Sequence, residues 1–361
     1  MAKKNVAIVG ATGIAGQQII VALENHPWYE ISVLAASERS AGKKYADAIT
    51  DPSGAKKWFC KEQPSERTLN LMVQDASKLD PKAAGIDLVF TAVESDVAKI
   101  IEPQYARDVP VISTASAFRY EKDVPILVPG VNTEQAKLIE VQKKNRGWNG
   151  FIAPVPNCTT TGLVMTLKPI ADAFGIESLI VTTMQGISGA GRSPGVIALD
   201  IVDNIIPFIS KEEEKVQIET KKIFGSFNGD SITDAPFPVS ATCTRACVLE
   251  GHTESAFVSC GRPVEAEDVK KAMRDYAPTD ILALPSAPKC LITVHDDPYR
   301  PQPRLDRDAD GGMTTSVGRI RKDNVLKNGV KYLLVSHNTM MGAGKGAVFV
   351  AEALQKLYGY I

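Results

Sequence analysis

The tightest constraint on this chain lies at its start, where a short apolar run meets three regularly spaced glycines. Val6-Ala7-Ile8-Val9 reads as a buried strand (Asn5–Val9), Gly10-Ala11-Thr12-Gly13-Ile14-Ala15-Gly16 as a tight turn, and Gly13–Asn25 as the helix after it. In that setting Gly10 permits the turn, Gly13 lets a backbone approach a pyrophosphate, and Gly16 allows close helix packing. The spacing is G-x-x-G-x-x-G rather than G-x-G-x-x-G, so the strand–turn–helix context carries as much as the glycines. It points to a dinucleotide held at a helix N-terminus. The candidate contacts are Gly10, Thr12, Gly13, Ile14 and Ala15.

Strand and helix patterns then alternate. Ile31–Ala36 and Asp87–Val93 read as strands and Asp96–Arg107 as a helix, while the charged, Pro-containing Asp51–Glu66 reads as an insertion or surface loop. Such alternation predicts a parallel, doubly wound α/β sheet of Rossmann type with right-handed crossovers. After residue 157 the runs become longer and β-rich: Ser178–Ser188, Val239–Val248, Thr253–Cys260, Leu291–His295 and Thr314–Arg321. In the last, Thr315, Val317 and Ile320 interleave with Ser316, Arg319 and Arg321. These runs predict a second, α+β domain with a mixed or antiparallel sheet. Gly344–Tyr358 reads as a closing helix with Ala347, Val348, Ala351 and Leu354 on one face.

The second strand ends in Ala35-Ala36-Ser37-Glu38-Arg39-Ser40. Glu38 suits a ribose 2′-hydroxyl and hence NAD; Ser37, Arg39 and Ser40 suit a 2′-phosphate, with Lys43 and Lys44 adding positive field. Three matching groups against one carboxylate favour NADP.

Composition narrows the partners. The chain carries 41 Lys+Arg against 42 Asp+Glu, a formal net charge of −1, and so lacks the basic footprint of a nucleic-acid or membrane-surface binder. No stretch approaches 18 consecutive apolar residues, and the run at Val6–Val9 is too short for a signal-peptide core. The six cysteines, at 60, 158, 243, 247, 260 and 290, read as reduced thiols, which points to a cytoplasmic setting.

Cys158 stands apart from the others. Pro154-Val155-Pro156-Asn157-Cys158-Thr159-Thr160-Thr161-Gly162 ends a strand and opens an apolar helix. A cysteine there feels the positive end of the helix dipole, which favours the thiolate, and Asn157 suits the N-cap. A nucleophile needs a base. Of four histidines, His26 reads as a surface or capping residue at the end of the first helix, and spacing does not choose among His252, His295 and His337. No metal site is expected, because Cys243 and Cys247 with His252 form one C-x-x-x-C without a second pair.

Further motifs follow in order: Ser188-Gly-Ala-Gly-Arg-Ser-Pro-Gly195, Asp203-Asn-Ile-Ile-Pro207, Glu212–Lys215, Arg245 with Gly251-His252-Thr-Glu254, Arg300-Pro-Gln-Pro-Arg-Leu-Asp-Arg307, and His337-Asn-Thr339. With the glycine loop and Pro-Asn-Cys-Thr-Thr-Thr-Gly, the set resembles the aspartate-semialdehyde dehydrogenase family over essentially the whole chain, and its fungal and archaeal branch more than the common bacterial one.

That resemblance implies a glyceraldehyde-3-phosphate-dehydrogenase-like architecture. It places an NADP-binding domain at 1–157, completed by 337–361 beside the glycine-loop helix, and a catalytic and dimerisation domain at 158–336. It implies reversible, NADP- and phosphate-dependent interconversion of L-aspartate 4-semialdehyde and L-4-aspartyl phosphate, on the way to lysine, methionine and threonine, in a homodimer or homotetramer. Cys158 would be the nucleophile and His252 the acid/base, with a pKa near neutrality suiting it. Arg245 would clamp the substrate α-carboxylate, Glu212 its ammonium and Lys215 the phosphate, with Arg119 as second phosphate ligand. Asn157 and Gln185 would complete the substrate site; Ser188, Gly189, Asn338 and Gly342 would face the cofactor. The run Glu212-Glu213-Glu214 leaves the carboxylate open by one position.

The chain departs from the pattern at Thr114 in Ser113-Thr-Ala115, at the longer, cationic Arg192-Ser193, and at Cys247. A malonyl-CoA reductase on the same scaffold is the alternative enzyme; Arg245 and Glu212–Lys215, suited to an amino-acid substrate, argue against it. An N-acetylglutamyl-phosphate reductase fits the motifs less well, and a silent NADP sensor would not need both Cys158 and His252.

Overall fold

The computed structural model describes residues 2–192 and 195–361. Six strands form the first sheet: β1 (Lys4–Val9), β2 (Tyr29–Ala36), β3 (Val73–Asp75), β4 (Leu88–Thr91), β5 (Val111–Ser113) and β6 (Ile152–Pro154). They lie in the order β3-β2-β1-β4-β5-β6, every pair parallel. This is the expected doubly wound sheet, and its order reverses between β1 and β4, where such folds place a ligand beyond the strand ends. β1 and β4 are buried almost throughout, as a sheet covered on both faces requires. The sequence reading missed β3 and β5 because three residues cannot display a period; of β6 it gave only the end at Pro154, from the Pro-Asn-Cys turn that follows.

The second sheet joins β7 (Ile176–Gln185), β8 (Ile205–Ile206), β11 (Val239–Ala246), β12 (His252–Cys260), β13 (Ile292–His295), β14 (Thr315–Asp323) and β15 (Gly329–Ser336). Their order is β13-β14-β15-β12-β7-β11-β8, mixed in direction, while β9 (Ser226–Phe227) pairs with β10 (Ile232–Thr233) apart from it. Every second residue of β12 from His252 to Val258 is buried, facing the core under helix Cys158–Phe174. The simple alternation expected in β14 does not hold. Val317 and Ile320 are both buried although three residues apart; a register shift between Gly318 and Arg321, with Arg319 at φ +54°, absorbs the odd step.

The last helix, Gly344–Ala353, packs on the first, Ile14–Leu23: a Cβ on Gly344 would sit 2.5 Å from that of Gln18. His26 corrects an expectation. It is buried, stacked on Tyr29, and bonded through Nε2 to Glu352 at 2.8 Å, pinning the end of the first helix to the last one. The Asp51–Glu66 stretch carries no helix or strand, as expected, until its last residue opens the short helix Glu66–Asn70, yet it is anchored: Gln17 Nε2 donates to the Lys57 carbonyl at 2.7 Å and Gln17 Oε1 accepts the Phe59 N–H at 2.7 Å.

Candidate active site

A cleft of about 1130 Å³ runs from the glycine loop, past the ends of β1 and β4, to the start of helix Cys158–Phe174. At the loop, Gly10 has φ +85° and a Cβ there would meet the Ala92 carbonyl oxygen at 2.2 Å; a Cβ on Gly16 would meet the Gly10 oxygen at 2.2 Å. Only glycine fits either place. Gly13, by contrast, has room for a side chain, is exposed, and starts the helix with no side-chain cap. Together with Thr12, Ile14 and Ala15 it leaves first-turn amides facing the cleft, the geometry for an anion at a helix N-terminus. Ser37, Arg39, Ser40 and Lys43 line the same end; Glu38 does not, and Lys44 turns away to Asn70.

At the other end, Asn157 caps its helix. Its Oδ1 accepts the amides of Thr159 and Thr160 at 2.9 and 3.3 Å, and its Nδ2 donates to Glu212 Oε1 at 2.8 Å. Cys158 Sγ lies 3.1 Å from His252 Nε2. The structure therefore brings His252 to the cysteine. His295 pairs instead with Asp306 at 3.4 Å, and His337 lies between Glu250 and Asp308. His252 Nδ1 accepts the Gly186 N–H at 3.1 Å, so the neutral ring carries its proton on Nε2 and donates it to the sulfur.

Burial opposes charge on both partners. It pushes the Cys158 thiol up to about 12, with Glu212 adding to the effect and Arg245, Arg119 and Lys215 pulling against it. It takes the His252 imidazole down to about 3. Both expectations from sequence change accordingly: the helix dipole does not lower the thiol, and the histidine does not titrate near neutrality. Desolvation outweighs a terminal half-charge once the pair is buried.

Three cations surround the thiol. Arg245 donates from Nη1 to the Gly186 carbonyl at 2.8 Å, and a Cβ on Gly189 would lie 2.9 Å from that nitrogen. Lys215 lines the cleft and pairs with Glu212 at 3.3 Å. Arg119 lines it too, bonded to Glu219 at 3.0 Å and to the Thr114 carbonyl at 2.9 Å. The open choice among the three glutamates closes on Glu212. It is buried against Asn157, whereas Glu213 accepts the Cys243 amide and Glu214 is exposed. Burial alone would raise the Glu212 carboxyl, but Lys215 and the Asn157 amide outweigh it and hold it below its usual range.

The remaining candidates also have places. Gln185 is buried, donates to Thr183 Oγ1 at 3.2 Å and does not line the cleft. Asn338 ties Gly251 to Ser188, accepting the Gly251 N–H and donating to the serine, both at 2.8 Å. Gly342 lies against the nucleophile turn, where a Cβ would come within 2.8 Å of Cys158 Cβ. Arg192 stands exposed at the rim; Ser193 lies outside the described residues.

Sequence reasoning missed Glu219 and Lys222, which follow Glu212 and Lys215 on one buried stripe of helix Glu212–Ile223. It also gave no role to Glu254. That residue lies two positions from His252 on the same face, fully buried, with neither carboxylate oxygen partnered, and burial holds it protonated. The signal for Glu219 was its i+7 spacing from Glu212, but a charged stripe is ordinarily read as a solvated face. Among the described residues no group of side chains suits a metal ion, and no helix is long and apolar enough to cross a membrane.

Comparison with known proteins agrees with this architecture. Two family models match: the semialdehyde dehydrogenase NAD binding domain over residues 5–139 and the semialdehyde dehydrogenase dimerisation domain over 167–341. The chain belongs to the semialdehyde dehydrogenase family. Within it, the chain is 45% identical to the aspartate-semialdehyde dehydrogenase of Archaeoglobus fulgidus over 353 residues, 98% of each chain. It is 44% identical to that of Candida albicans over 370 residues, 98% of this chain and 99% of the relative. The crystal structure of aspartate semialdehyde dehydrogenase with NADP from Candida albicans matches at a TM-score of 0.88 and 40% identity, covering both chains fully. The resemblance read from the motifs, to the archaeal and fungal branch, is borne out.

Proposed function

We propose that this chain catalyses the NADP- and phosphate-dependent interconversion of L-aspartate 4-semialdehyde and L-4-aspartyl phosphate through a thioester on Cys158, a step towards lysine, methionine and threonine. The observation that carries the reading is Cys158 Sγ at 3.1 Å from His252 Nε2, with Cys158 in one cleft with the glycine loop, Arg119 and Lys215, and Arg245 packed behind Gly189 of its lining. NADP bound at the loop end supplies the hydride acceptor. The fit there rests on open first-turn amides at Ile14 and Ala15 and on Ser37, Arg39 and Ser40.

In the oxidative direction the Cys158 thiol adds to the aldehyde carbon, with His252 Nε2 giving its proton to the carbonyl oxygen and taking that of the thiol, so that a neutral thiohemiacetal forms beside a neutral imidazole. As hydride departs, the thiohemiacetal hydroxyl passes its proton to His252 and the thioester remains. Phosphate, held by Arg119 and Lys215, then attacks the thioester carbonyl, and the tetrahedral adduct collapses to acyl phosphate and free thiolate. Arg245 is suited to a bidentate grip on the substrate α-carboxylate and Glu212 to its ammonium. Asn157 and Gln185 support the substrate site, while Ser188, Gly189, Asn338 and Gly342 border the cofactor.

In this reading residues 1–157 with 337–361 form the cofactor domain and 158–336 the catalytic and dimerisation domain, in a cytoplasmic homodimer or homotetramer. A sheet face bearing the half-exposed Ile180 supports pairing there. The test is NADPH formation from L-aspartate 4-semialdehyde and NADP, with and without phosphate. Phosphate-dependent reduction that disappears in Cys158→Ala, with NADPH binding retained, is the expected result. Oxidation of NADPH by malonyl-CoA instead would move the chain to the CoA-dependent alternative.

A further inference from the structure

We propose that Glu219 is a positioning residue that registers the Arg119 guanidinium against the turn carrying Cys158; this rests on the reading of Arg119 as an anion ligand. Glu219 is fully buried on helix Glu212–Ile223. Its Oε2 accepts the backbone N–H of Asn157, the residue before the nucleophile, at 2.5 Å. Its Oε1 accepts Arg119 Nη1–H at 3.0 Å and the Tyr120 hydroxyl at 3.2 Å. One carboxylate thus joins two parts of the site that come from separate loops, one after β5 and one after β6. One turn further along the helix, Lys222 donates to the Arg119 and Glu121 carbonyls at 2.7 and 2.8 Å, holding the same loop by its backbone.

The arrangement is more than a buried ion pair, which by itself would be weak grounds for any role. Arginine has many rotamers, and the two bonds that select this one are to Glu219 and to the Thr114 carbonyl. The distance from a bound anion to the Cys158 thioester depends on that rotamer, and a displacement of about 1 Å costs on the order of 10²-fold in rate. All three partners of Glu219 donate, although the tyrosine hydroxyl can rotate to accept. In Glu219→Gln a single amide oxygen replaces two carboxylate oxygens, so the Asn157 N–H and Arg119 can no longer both be accepted, and in either orientation of the amide Arg119 loses its anionic partner. The nucleophile turn keeps the Asn157 cap on the Thr159 and Thr160 amides, and the arginine is released.

This separation can be measured without the substrate. Alkylation of Cys158 by iodoacetamide, followed by mass spectrometry of its peptide, is titrated with inorganic phosphate. The wild type is expected to be shielded by phosphate. Glu219→Gln should need roughly tenfold more phosphate for the same shielding, with the phosphate-free alkylation rate within threefold of wild type. Equal shielding in a folded variant overturns the proposal, as does a parallel change in both quantities with a lowered Tm, which marks a brace only. Glu219→Asp keeps the charge but is one methylene too short to bridge both partners, and covers the case where the glutamine variant does not fold. It should show the same separation at about threefold, and wild-type shielding there overturns the proposal equally. A wild-type thiol indifferent to phosphate would overturn the anion-site reading itself, whereas shielding that both variants retain removes only the role given to Glu219.

Discussion

Two helices open on one cleft and treat their free amides in opposite ways. At Ile14–Leu23 the N-cap is a glycine, no side chain caps it, no acidic residue sits in the first turn, and the amides face the cleft. At Cys158–Phe174 the amides are committed: Asn157 takes those of Thr159 and Thr160, and Glu219 takes that of Asn157. The first start suits an anion that arrives from solution. The second carries a nucleophile, which a fully vacant helix end would leave competing with any passing anion. There the positive potential comes from Arg119, Lys215 and Arg245, which converge from three separate elements.

The contrast can be broken most sharply at the first helix. Gly13→Asp places a carboxylate where a pyrophosphate belongs, in a conformation and space that accept a side chain. NADP affinity is expected to fall at least about 100-fold by calorimetry, with Tm unchanged or raised because aspartate is a good N-cap. Retained affinity would mean that the loop does not hold the cofactor.

At the second helix, burial rather than the dipole sets the thiol, which lies up at about 12. In the unliganded enzyme the Cys158 alkylation rate should therefore keep climbing through pH 9, approaching tenfold per pH unit. A plateau near neutral pH would reveal a standing thiolate–imidazolium pair and restore the dipole as the controlling influence. Asn157→Ala should have a smaller effect. Losing the cap costs about 1 kcal/mol, a few degrees in Tm, and turnover should drop several-fold as Glu212 loses its partner, while NADP affinity stays within twofold.

At Glu254 the smallest effect on the reaction is expected, and the readout is stability. Its raised pKa means that the folded chain keeps a proton the unfolded chain releases above about pH 4.3. Stability then falls as pH rises beyond that point, by up to ~1.4 kcal/mol per unit until the folded carboxyl itself titrates. Glu254→Gln removes the slope. Its Tm should match the wild type near pH 4 and equal or exceed it at pH 8, and a lower Tm at pH 8 would show that the carboxylate is ionised and paired.

Legibility from sequence followed the range of the forces involved. The glycine loop, the first helix and Asn157 as a cap were readable because each depends on a few adjacent residues. The strand at Gly329–Ser336 was not, although it is central to the second sheet; nor were β3 and β5, of three residues each. His26 looked like a surface residue because its partner, Glu352, lies 326 positions away. Glu219 and Lys222 looked solvated because charge on a helix face usually is, and only the packing of that face onto the Arg119 loop and the nucleophile turn buries them.

The sequence by itself determined a dinucleotide-type βαβ start, a cysteine at the head of an apolar helix, and a family resemblance strong enough to imply a reaction. These are written in local backbone geometry and in the order of motifs. Tertiary structure alone decided that His252, 94 residues from Cys158, is its partner; that Glu212 rather than its neighbours faces Asn157; and that the resting thiol and imidazole are both neutral. Those outcomes depend on which groups lose water when the sheets pack, and desolvation belongs to the assembled fold rather than to any segment of it.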